Sequence, residues 1–246
     1  MERGEYERMH ALEDRMWWYR GLRALAVQLV GQALVASPAK GLVLDAGCGT
    51  GGMLLALATA VSDRPAIGLE HDRLAAGLAA AKSGRPVVVG SVNQMPVRDS
   101  GLVGYVSLDV LCHCGVEPQE ALREAHRCLQ PGGIALLNLP AYRWLLSAHD
   151  RRVHNSRRFT RSEASGLLRE HGFRILRSSY WNTFLFPLML LHRLVGRADD
   201  ESDVREFPPW LDRLFSALLA LERLLIRGGV SFPFGGSVMI VAARHD

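Results

Sequence analysis

Cysteine is scarce in this chain, with four among 246 residues. Cys48 and Cys128 stand alone, while Cys112 and Cys114 are too close together for ordinary zinc-ligand spacing. The sequence contains no CxxC pair and no recognisable secretory signal, which argues against a disulfide framework and a secreted protein. We therefore expect reduced thiols, a cytoplasmic location and no metal site.

Long uncharged hydrophobic runs are also missing. Two segments, residues 184–191 and 209–227, are rich in leucine, but Arg193 ends the first and charged residues interrupt the second. Neither approaches the roughly 20 apolar residues that a helix needs to cross a bilayer. The sequence therefore predicts no transmembrane helix.

Charge is not concentrated in one sign, since the formal net charge is +4. A balance this mild falls short of what nucleic-acid binding requires, but it permits an anionic ligand or contact with a membrane surface. Apolar residues make up 48% of the chain, which is enough for a full core. We expect one domain with an elaborated insertion.

Alternating strands and helices dominate the chain after residue 40. The periodicity predicts strands at 41–46, 66–70, 86–89, 103–109, 133–139, 173–180 and 236–243. It predicts helices at 52–61, 72–82, 117–129, 161–171, 184–191 and from Pro209 to about Arg227. An earlier helical stretch, residues 5–35, is predicted to be interrupted at 17–21, with a bend at Gly21. This order indicates a doubly wound α/β fold that binds its ligand at the carboxyl ends of the strands.

The turn after the first strand is the most specific feature of the sequence. Three glycines, Gly47, Gly49 and Gly51, allow the backbone to turn sharply and approach a ligand, and the next helix begins there. Asp45 precedes them, and a carboxylate at this place would repel a pyrophosphate. Glu70 ends the second strand, 23 residues after Gly47 (70 − 47), near the spacing at which an acid meets ribose hydroxyls. The combination favours a ligand that carries an ammonium group and ribose but no phosphate.

The arrangement Asp45-x-Gly47-x-Gly49-x-Gly51 resembles the first motif of class I S-adenosylmethionine-dependent methyltransferases, in the small-molecule branch. Residues 89–96, 107–113 and 129–133 resemble later motifs of the same family, although Ser91 stands where an aspartate is usual. The resemblance implies a Rossmann-like, seven-stranded sheet whose last strand is antiparallel. Its cofactor would be S-adenosylmethionine. The cofactor-binding residues are then Asp45, Gly47, Cys48, Gly49, Glu70, His71, Ser91, Val92, Asn93, Leu108, Arg20 and Arg23.

The same resemblance divides the chain into four parts. Residues 1–38 would be an N-terminal helical cap, 39–181 the cofactor-binding core, 182–232 a helical insertion or lid between strands six and seven, and 233–246 the final core strand. A second interpretation stays open, in which Trp17 and Trp18 are core anchors and Arg23 is an ordinary solvated helix residue. Thr160 and Glu163 form a capping-box pattern that explains Thr160 without a function.

Histidines near the ends of strands four and five are the candidate proton acceptors. The candidate catalytic residues are His113, His149 and Asp150, and the candidate substrate-binding residues are Trp18, Tyr19, Tyr142, His154, Arg157 and Phe186. Simple structural roles compete with each of these: His113 as a strand-end histidine bonded to backbone, His149 and Asp150 as a turn pair, and the arginines as a solvated loop. No metal-ligand cluster is recognisable.

These features predict methyl transfer to a small, hydrophobic or lipid-like acceptor, carried out by a monomer or homodimer. Two alternatives remain. A nucleic-acid methyltransferase is disfavoured, because no Asn-Pro-Pro-aromatic motif follows strand four. A non-catalytic cofactor-binding or membrane-associated scaffold would have the same glycine turn and Glu70. The apolar residues of 182–232 would form a pocket wall, a membrane-facing surface, a dimer interface or plain core.

Overall fold

The computed structural model describes residues 3–37, 40–147, 150, 152–195 and 207–245. Seven strands lie within these ranges: β1 (Leu42–Ala46), β2 (Ala66–Glu70), β3 (Val87–Val89), β4 (Leu102–Leu108), β5 (Leu129–Pro140), β6 (Phe173–Trp181) and β7 (Ser237–Arg244). The helices are α1 (Arg3–Leu12), α2 (Trp17–Ala36), α3 (Gly52–Ala60), α4 (Arg73–Ser83), α5 (Pro118–Cys128), α6 (Arg161–Glu170), α7 (Phe186–Val195) and α8 (Pro209–Arg227). A short 3-10 helix covers Arg143–Leu145.

All seven strands join one sheet in the order β3-β2-β1-β4-β5-β7-β6. β1 to β5 pair in parallel, while β7 runs antiparallel to both β5 and β6. The predicted doubly wound, Rossmann-like sheet with an antiparallel last strand is therefore confirmed. The strand order reverses between β1 and β4, and ligands of such sheets bind at the carboxyl ends of the strands beside this reversal.

Two apolar layers cover the two faces of the sheet. On one face α2, α3 and α8 contribute Leu25, Leu57 and Phe215, and on the other α5 and α6 contribute Leu122 and Leu168. The inner strands β1, β2 and β4 read as nearly continuous apolar runs because both of their faces are buried, whereas the edge strands β3 and β6 have exposed residues. This rigid double layer fixes the loops at the carboxyl edge.

The predicted interruption of the N-terminal helix at 17–21 is wrong. The break falls between Leu12 and Trp17, and Gly21 lies inside α2. The backbone N–H of Trp17 donates to Asp212 Oδ1 of α8 at 2.8 Å, so the cap of α2 comes from a distant helix. Gly21 serves close packing instead of a bend, because a Cβ atom there would lie 2.4 Å from Leu219 Cδ1.

The insertion between β6 and β7 contains α7 and α8, as predicted. Glu222 of α8 is almost fully buried and accepts a hydrogen bond from the backbone N–H of Thr183 at 2.9 Å, which ties α8 to the end of β6. None of the helices in the described ranges combines the length and apolar character needed to cross a membrane.

Two predicted boundaries, the helix start near residue 160 and the strand start near residue 133, compare differently with the structure. The capping box of Thr160 and Glu163 is confirmed at the start of α6. The strand predicted to begin at residue 133 begins at Leu129, directly after α5 ends at Cys128, because Leu129 already pairs with Leu102 of β4.

Candidate functional site

A tight glycine turn follows β1 at the carboxyl edge of the sheet. Gly47, Gly49 and Gly51 all have positive φ angles, of 79°, 54° and 94°. A Cβ atom at Gly47 would lie 2.4 Å from Val110 Cγ2, and one at Gly49 would lie 2.9 Å from Met9 Cε. The backbone therefore runs where no larger residue fits, between the loop after β4 and the helix α1.

Two buried carboxylates flank this turn. Asp45, at the end of β1, is 1% exposed, and its Oδ2 atom has no hydrogen-bond partner among the described residues. Burial, with the nearby charges of Glu70 and Glu13, raises the pKa of Asp45 to about 8. Glu70 Oε2 accepts from the backbone N–H of Gly49 at 2.9 Å, and Glu70 Oε1 accepts from that of Asp72 at 3.0 Å. Burial raises the pKa of Glu70, while these backbone donors lower it.

The glycine turn together with Asp45 and Glu70, called the cofactor cradle below, suits a ligand that brings positive charge and hydroxyl donors. An unpartnered buried carboxylate oxygen is costly until a donor or cation reaches it. Acidic side chains on both sides of the turn make it a poor site for a phosphate, so the geometry disfavours a pyrophosphate there. The ammonium group and ribose of S-adenosylmethionine fit both requirements: Asp45 would accept from the ammonium group and Glu70 from the ribose hydroxyls.

The remaining predicted cofactor residues lie around the same edge. Cys48 is buried beneath the turn, and burial raises the pKa of its thiol. His71 is exposed, Val92 is buried, and Leu108 ends β4. The Ser91 hydroxyl accepts from the backbone N–H of Asn93 at 3.2 Å.

Asn93 and the two arginines have protein partners. The Asn93 side chain bridges the backbone of Gly115 and Glu117, so it holds the loop before α5. Arg20 donates to Ser216 Oγ at 2.7 Å and pairs with Asp212, and both partners belong to α8. Arg23 lies at the turn itself, because a Cβ atom at Gly52 would be 2.6 Å from its Nη1 atom. Arg23 pairs there with Glu13 at 3.5 Å.

Three residues that the sequence analysis missed lie at the ends of β4, β5 and β6. Asp109 directly follows β4 with a φ angle of 56° and accepts from Asn138 Nδ2 at 2.9 Å. Asn138 Oδ1 accepts from Trp181 Nε1 at 2.6 Å. Burial raises the pKa of Asp109 to about 7. A polar residue inside the apolar fifth strand was the one available signal, and it points to Asn138.

Three aromatic side chains, those of Trp18, Tyr19 and Trp181, lie beside Asp109. The rings of Trp18 and Trp181 stack with centroids 6.2 Å apart, and Tyr19 meets Trp18 edge-on at 5.0 Å. Burial, and then the charges of Glu13 and Asp109, raises the pKa of Tyr19. The predicted substrate residues Trp18 and Tyr19 are thereby brought to the same side of the cradle as Asp109.

Tyr142 and Phe186 form a second aromatic group after β5. Tyr142 stacks on Tyr180 with ring centroids 5.2 Å apart and lies 5.8 Å from the ring of Phe186. Tyr142 is also a non-glycine residue at positive φ, 56°. Residues held in this conformation concentrate at functional sites, where the surrounding structure supports the strain.

The histidine and arginine candidates lie in the loops after β4 and β5. Burial lowers the pKa of His113, so its imidazole is neutral at pH 7. His154 has a φ angle of 58°, and its backbone C=O accepts from Cys114 N–H at 2.8 Å. Arg157 donates to the backbone oxygens of His113 and Val116 at 3.0 and 2.7 Å, so it joins the two loops. His149 lies outside the described residues.

Asp150 is paired with Arg158 in a buried, bidentate ion pair. Arg158 Nη2 lies 2.9 Å from Asp150 Oδ2, and Arg158 Nε lies 3.1 Å from Oδ1. The side chains are 7% and 1% exposed, and Ser147 donates to Oδ2 from its backbone and its hydroxyl. Arg158 also donates to the backbone oxygen of Ala141. The pair fixes the loop after β5, which favours a positioning role for Asp150.

We expect Asp150→Asn to destabilise the fold by about 3–5 kcal/mol, because it leaves Arg158 buried without a counter-charge. Burial alone would raise the pKa of Asp150, but bonds from Arg158 and Ser147 lower it overall. The ion pair therefore stabilises the wild type above the unfolded-state pKa of about 3.9, and this contribution is lost as the pH falls through the lowered folded pKa.

Urea titrations between neutral and acidic pH measure this effect. The difference between wild type and Asp150→Asn should be largest at neutral pH and shrink in acid. As a control, Asp63→Asn changes a carboxylate whose side chain is 79% exposed and should have little effect at any pH. A constant difference between wild type and Asp150→Asn across the range would contradict the assignment.

Comparison with known proteins identifies the central part of the chain. A sequence model described as a methyltransferase domain matches residues 44–137. Residues 44–137 therefore resemble a methyltransferase domain, in agreement with the sheet order and the glycine turn described above. Within the described residues, no three His, Cys, Asp or Glu side chains are grouped to hold a metal ion.

Two curated relatives illustrate the similarity. The chain is 27% identical over 170 residues to a 24-methylenesterol C-methyltransferase of Oryza sativa, covering 60% of this chain and 45% of the relative. It is 37% identical over 95 residues to a malonyl-[acyl-carrier protein] O-methyltransferase of Dechloromonas aromatica, covering 39% and 35%. The chain thus spans less than half the length of either relative.

Solved structures share the fold. The crystal structure of a protein from Galdieria sulphuraria, described there as a sarcosine dimethylglycine methyltransferase, aligns with a TM-score of 0.61 at 14% identity. The alignment covers 92% of this chain and 86% of that one. At this identity the likeness concerns the fold alone.

Proposed function

We propose that this protein transfers a methyl group from S-adenosylmethionine to a small, hydrophobic or lipid-like acceptor. The observation that carries the proposal is the pair of buried carboxylates at the glycine turn, where Asp45 Oδ2 has no hydrogen-bond partner within the described part of the chain. S-adenosylmethionine supplies a methyl group on a sulfonium, and the acceptor displaces the neutral thioether. The protein has to align the two molecules and exclude water, and positioning can supply roughly 7–11 kcal/mol.

The aromatic residues near Asp109 favour an apolar methyl acceptor. The half-buried ring of Trp18 stacks on the buried Trp181 next to Asp109, and the half-buried Tyr142 lies against the buried Phe186. Large aromatic surfaces contribute most to binding when they cover an apolar ligand. The sterol methyltransferase among the relatives acts on an acceptor of this kind, which supports the same class here.

Where the methyl acceptor must lose a proton, we assign the role of general base to Asp109. In that reaction the acceptor atom forms a bond to the methyl carbon, the carbon–sulfur bond breaks, and the acceptor proton passes to a carboxylate oxygen of Asp109. A carboxylate with a pKa of about 7 is well matched to this task at neutral pH. His113 and His149 are the alternative bases from the sequence analysis, and the pH dependence of each variant separates them.

The proposal predicts that Asp45→Asn weakens binding of S-adenosylmethionine about 10- to 100-fold. The variant keeps the volume but loses a charge-assisted hydrogen bond, worth about 1.5–3 kcal/mol. Because the pKa of Asp45 is raised to about 8, the apo variant should differ little in stability from the wild type at pH 7 and should be the more stable of the two above pH 8, where Asp45 of the wild type carries a buried charge. Weaker cofactor binding together with greater stability above pH 8 distinguishes a ligand-binding carboxylate from a structural one.

Isothermal titration calorimetry and thermal unfolding measure the two effects. Asp63→Asn is the matched control, since its carboxylate is exposed, and it should change neither quantity. Transfer of a labelled methyl group is then assayed against a panel of apolar phenols, acids and isoprenoid alcohols. Unchanged affinity in Asp45→Asn would refute the cofactor assignment. Tight binding of S-adenosylmethionine without transfer to any apolar acceptor would favour a non-catalytic binding protein.

We also propose a reducing, cytoplasmic environment. All four cysteines are free, and Cys114 is exposed. An exposed free thiol is stable mainly where the surroundings keep it reduced.

A further inference from the structure

One helix of the insertion is apolar on two sides. Phe215, Leu219 and Ile226 of α8 are buried against the core. On the opposite side, apolar residues recur at helical spacing and face solvent. This outer stripe consists of Trp210, Leu214, Ala217, Leu221 and Leu224, whose four large side chains are 49% to 67% exposed.

The outer stripe cannot turn inward, because the inner face of α8 is fixed at several points. Phe215 packs edge-on against Trp17 with ring centroids 5.1 Å apart, and Leu219 fills the space over Gly21. Glu222 holds the backbone of Thr183. Among the residues that the structure describes, none can bury the stripe, so burying it requires a partner outside them.

The charges of α8 identify the kind of partner. Arg213, Arg223 and Arg227 lie on the same flank of the outer stripe by helical spacing. Both acids of α8 are engaged on the protein side: Asp212 accepts from Trp17 N–H, and Glu222 is buried. The exposed edge of the stripe is therefore basic, and a helix with an apolar face, a tryptophan and flanking arginines suits the interface of an anionic lipid bilayer.

A second copy of this chain suits the stripe less well. Two-fold packing of one stripe on another would place Arg213 of one copy near Arg223 of the other. Like charges would then face each other at the edge of the contact. Anionic headgroups remove that repulsion, while the acyl region accepts the leucines.

We propose that the outer stripe of α8 is a membrane-docking surface, which attaches the protein peripherally to bilayers that contain anionic lipid. The stripe enters the boundary between headgroups and acyl chains, and the arginines contact lipid phosphates. The argument does not depend on methyl transfer, so the two proposals can fail separately.

Flotation of the full chain with lipid vesicles tests the proposal without cofactor or acceptor. We expect the wild type to float with vesicles of phosphatidylcholine and phosphatidylglycerol, and weakly with phosphatidylcholine alone. The double variant Leu214→Glu/Leu221→Glu should lose flotation. Leu176→Glu is the matched control, because Leu176 is exposed to a similar degree, 41%, on β6. It should float like the wild type.

The arginines are tested by replacing Arg213, Arg223 and Arg227 with glutamine, singly and together. Each loss should weaken binding to the anionic vesicles about fivefold. High salt should likewise weaken the binding of the wild type to the anionic vesicles. Circular dichroism and thermal unfolding verify the fold of each variant, and Trp210→Ala provides a second, milder change within the stripe.

Three outcomes would overturn the proposal. The first is a wild type that floats with neither vesicle. The second is undiminished flotation of Leu214→Glu/Leu221→Glu. The third is a wild-type dimer in sedimentation velocity that the same double variant converts to monomer, since the stripe would then serve self-association.

Discussion

Gly47→Ala should reduce kcat/KM for methyl transfer by about a hundredfold or more. The added Cβ atom would lie 2.4 Å from Val110 Cγ2, which is far inside contact distance. The φ angle of 79° adds a further cost, of about 1–2 kcal/mol, for any residue with a Cβ atom. Val110 belongs to the loop that carries Asp109, so the clash disturbs the cofactor cradle and the proposed proton acceptor together.

Two control variants separate this effect from general damage. Gly77→Ala places a methyl group inside α4, where nothing lies within 4 Å, and it should preserve activity and slightly raise stability. Gly47→Ala combined with Val110→Ala removes the clash but keeps the strained φ angle, so it should restore part of the activity. Calorimetry with S-adenosylmethionine and initial rates are the measurements. Near-wild-type binding by Gly47→Ala would show that the turn does not approach the cofactor.

The fold was predictable because its signals are local. The five parallel strands, β1 to β5, show apolar runs of the right length, and the glycines and prolines between elements mark the turns. The N-terminal break was misplaced because the residue that caps α2, Asp212, is supplied by α8, 195 residues away from Trp17. A pairing at that distance leaves no pattern near residue 17.

The site was predictable in part for the same reason. Asp45 and Glu70 could be found because each ends a strand next to the glycine turn, and parallel strands end at one edge. Asp109 directly follows β4, while Asn138 and Trp181 lie in β5 and β6, and their hydrogen bonds exist only once these three strands are placed. Arg20 has the chemistry to bind a carboxylate, but the folded chain already supplies one in Asp212.

The sequence also could not show which apolar side chains of the insertion are buried and which are exposed. Phe186 and Phe215 are buried, while Leu188 and Trp210 are exposed, although all four lie in similar apolar segments. Which side of α8 faces the core depends on its packing against α2. Helical spacing predicts an apolar side, and a helix with two such sides gives no preference between them.

Asp109→Asn should lower the rate of methyl transfer to a protonated acceptor by about 10²- to 10⁴-fold. In the wild type, the rate should rise with pH through about 7, because the carboxylate is the form that accepts the proton. That rise should disappear in the variant, with little change in affinity for S-adenosylmethionine. His113→Gln should retain the rise if Asp109 is the base.

The surroundings of Asp109 provide a second variant that moves its pKa. Burial raises this pKa most strongly, the hydrogen bond from Asn138 and the charge of Arg158 lower it, and the charge of Asp150 raises it. Burial raises the pKa of two other titratable groups, Tyr19 and Cys112, and the negative charge of Asp109 also acts on both and raises each pKa further. Asn138→Leu removes the hydrogen bond, so the pH–rate profile should shift toward alkaline pH.

Stability gives an independent check on Asp109. Its folded pKa lies above the unfolded value of about 3.9, so the folded protein binds the extra proton between about pH 4 and 7. This group therefore makes the wild type less stable as the pH rises across that window. Burial also raises the pKa of Asp45, to about 8, so Asp109→Asn should make the decline shallower without abolishing it. If the variant kept the full wild-type decline and the wild-type pH–rate profile, neither the raised pKa nor the proton transfer would belong to Asp109, and His113 would become the leading base.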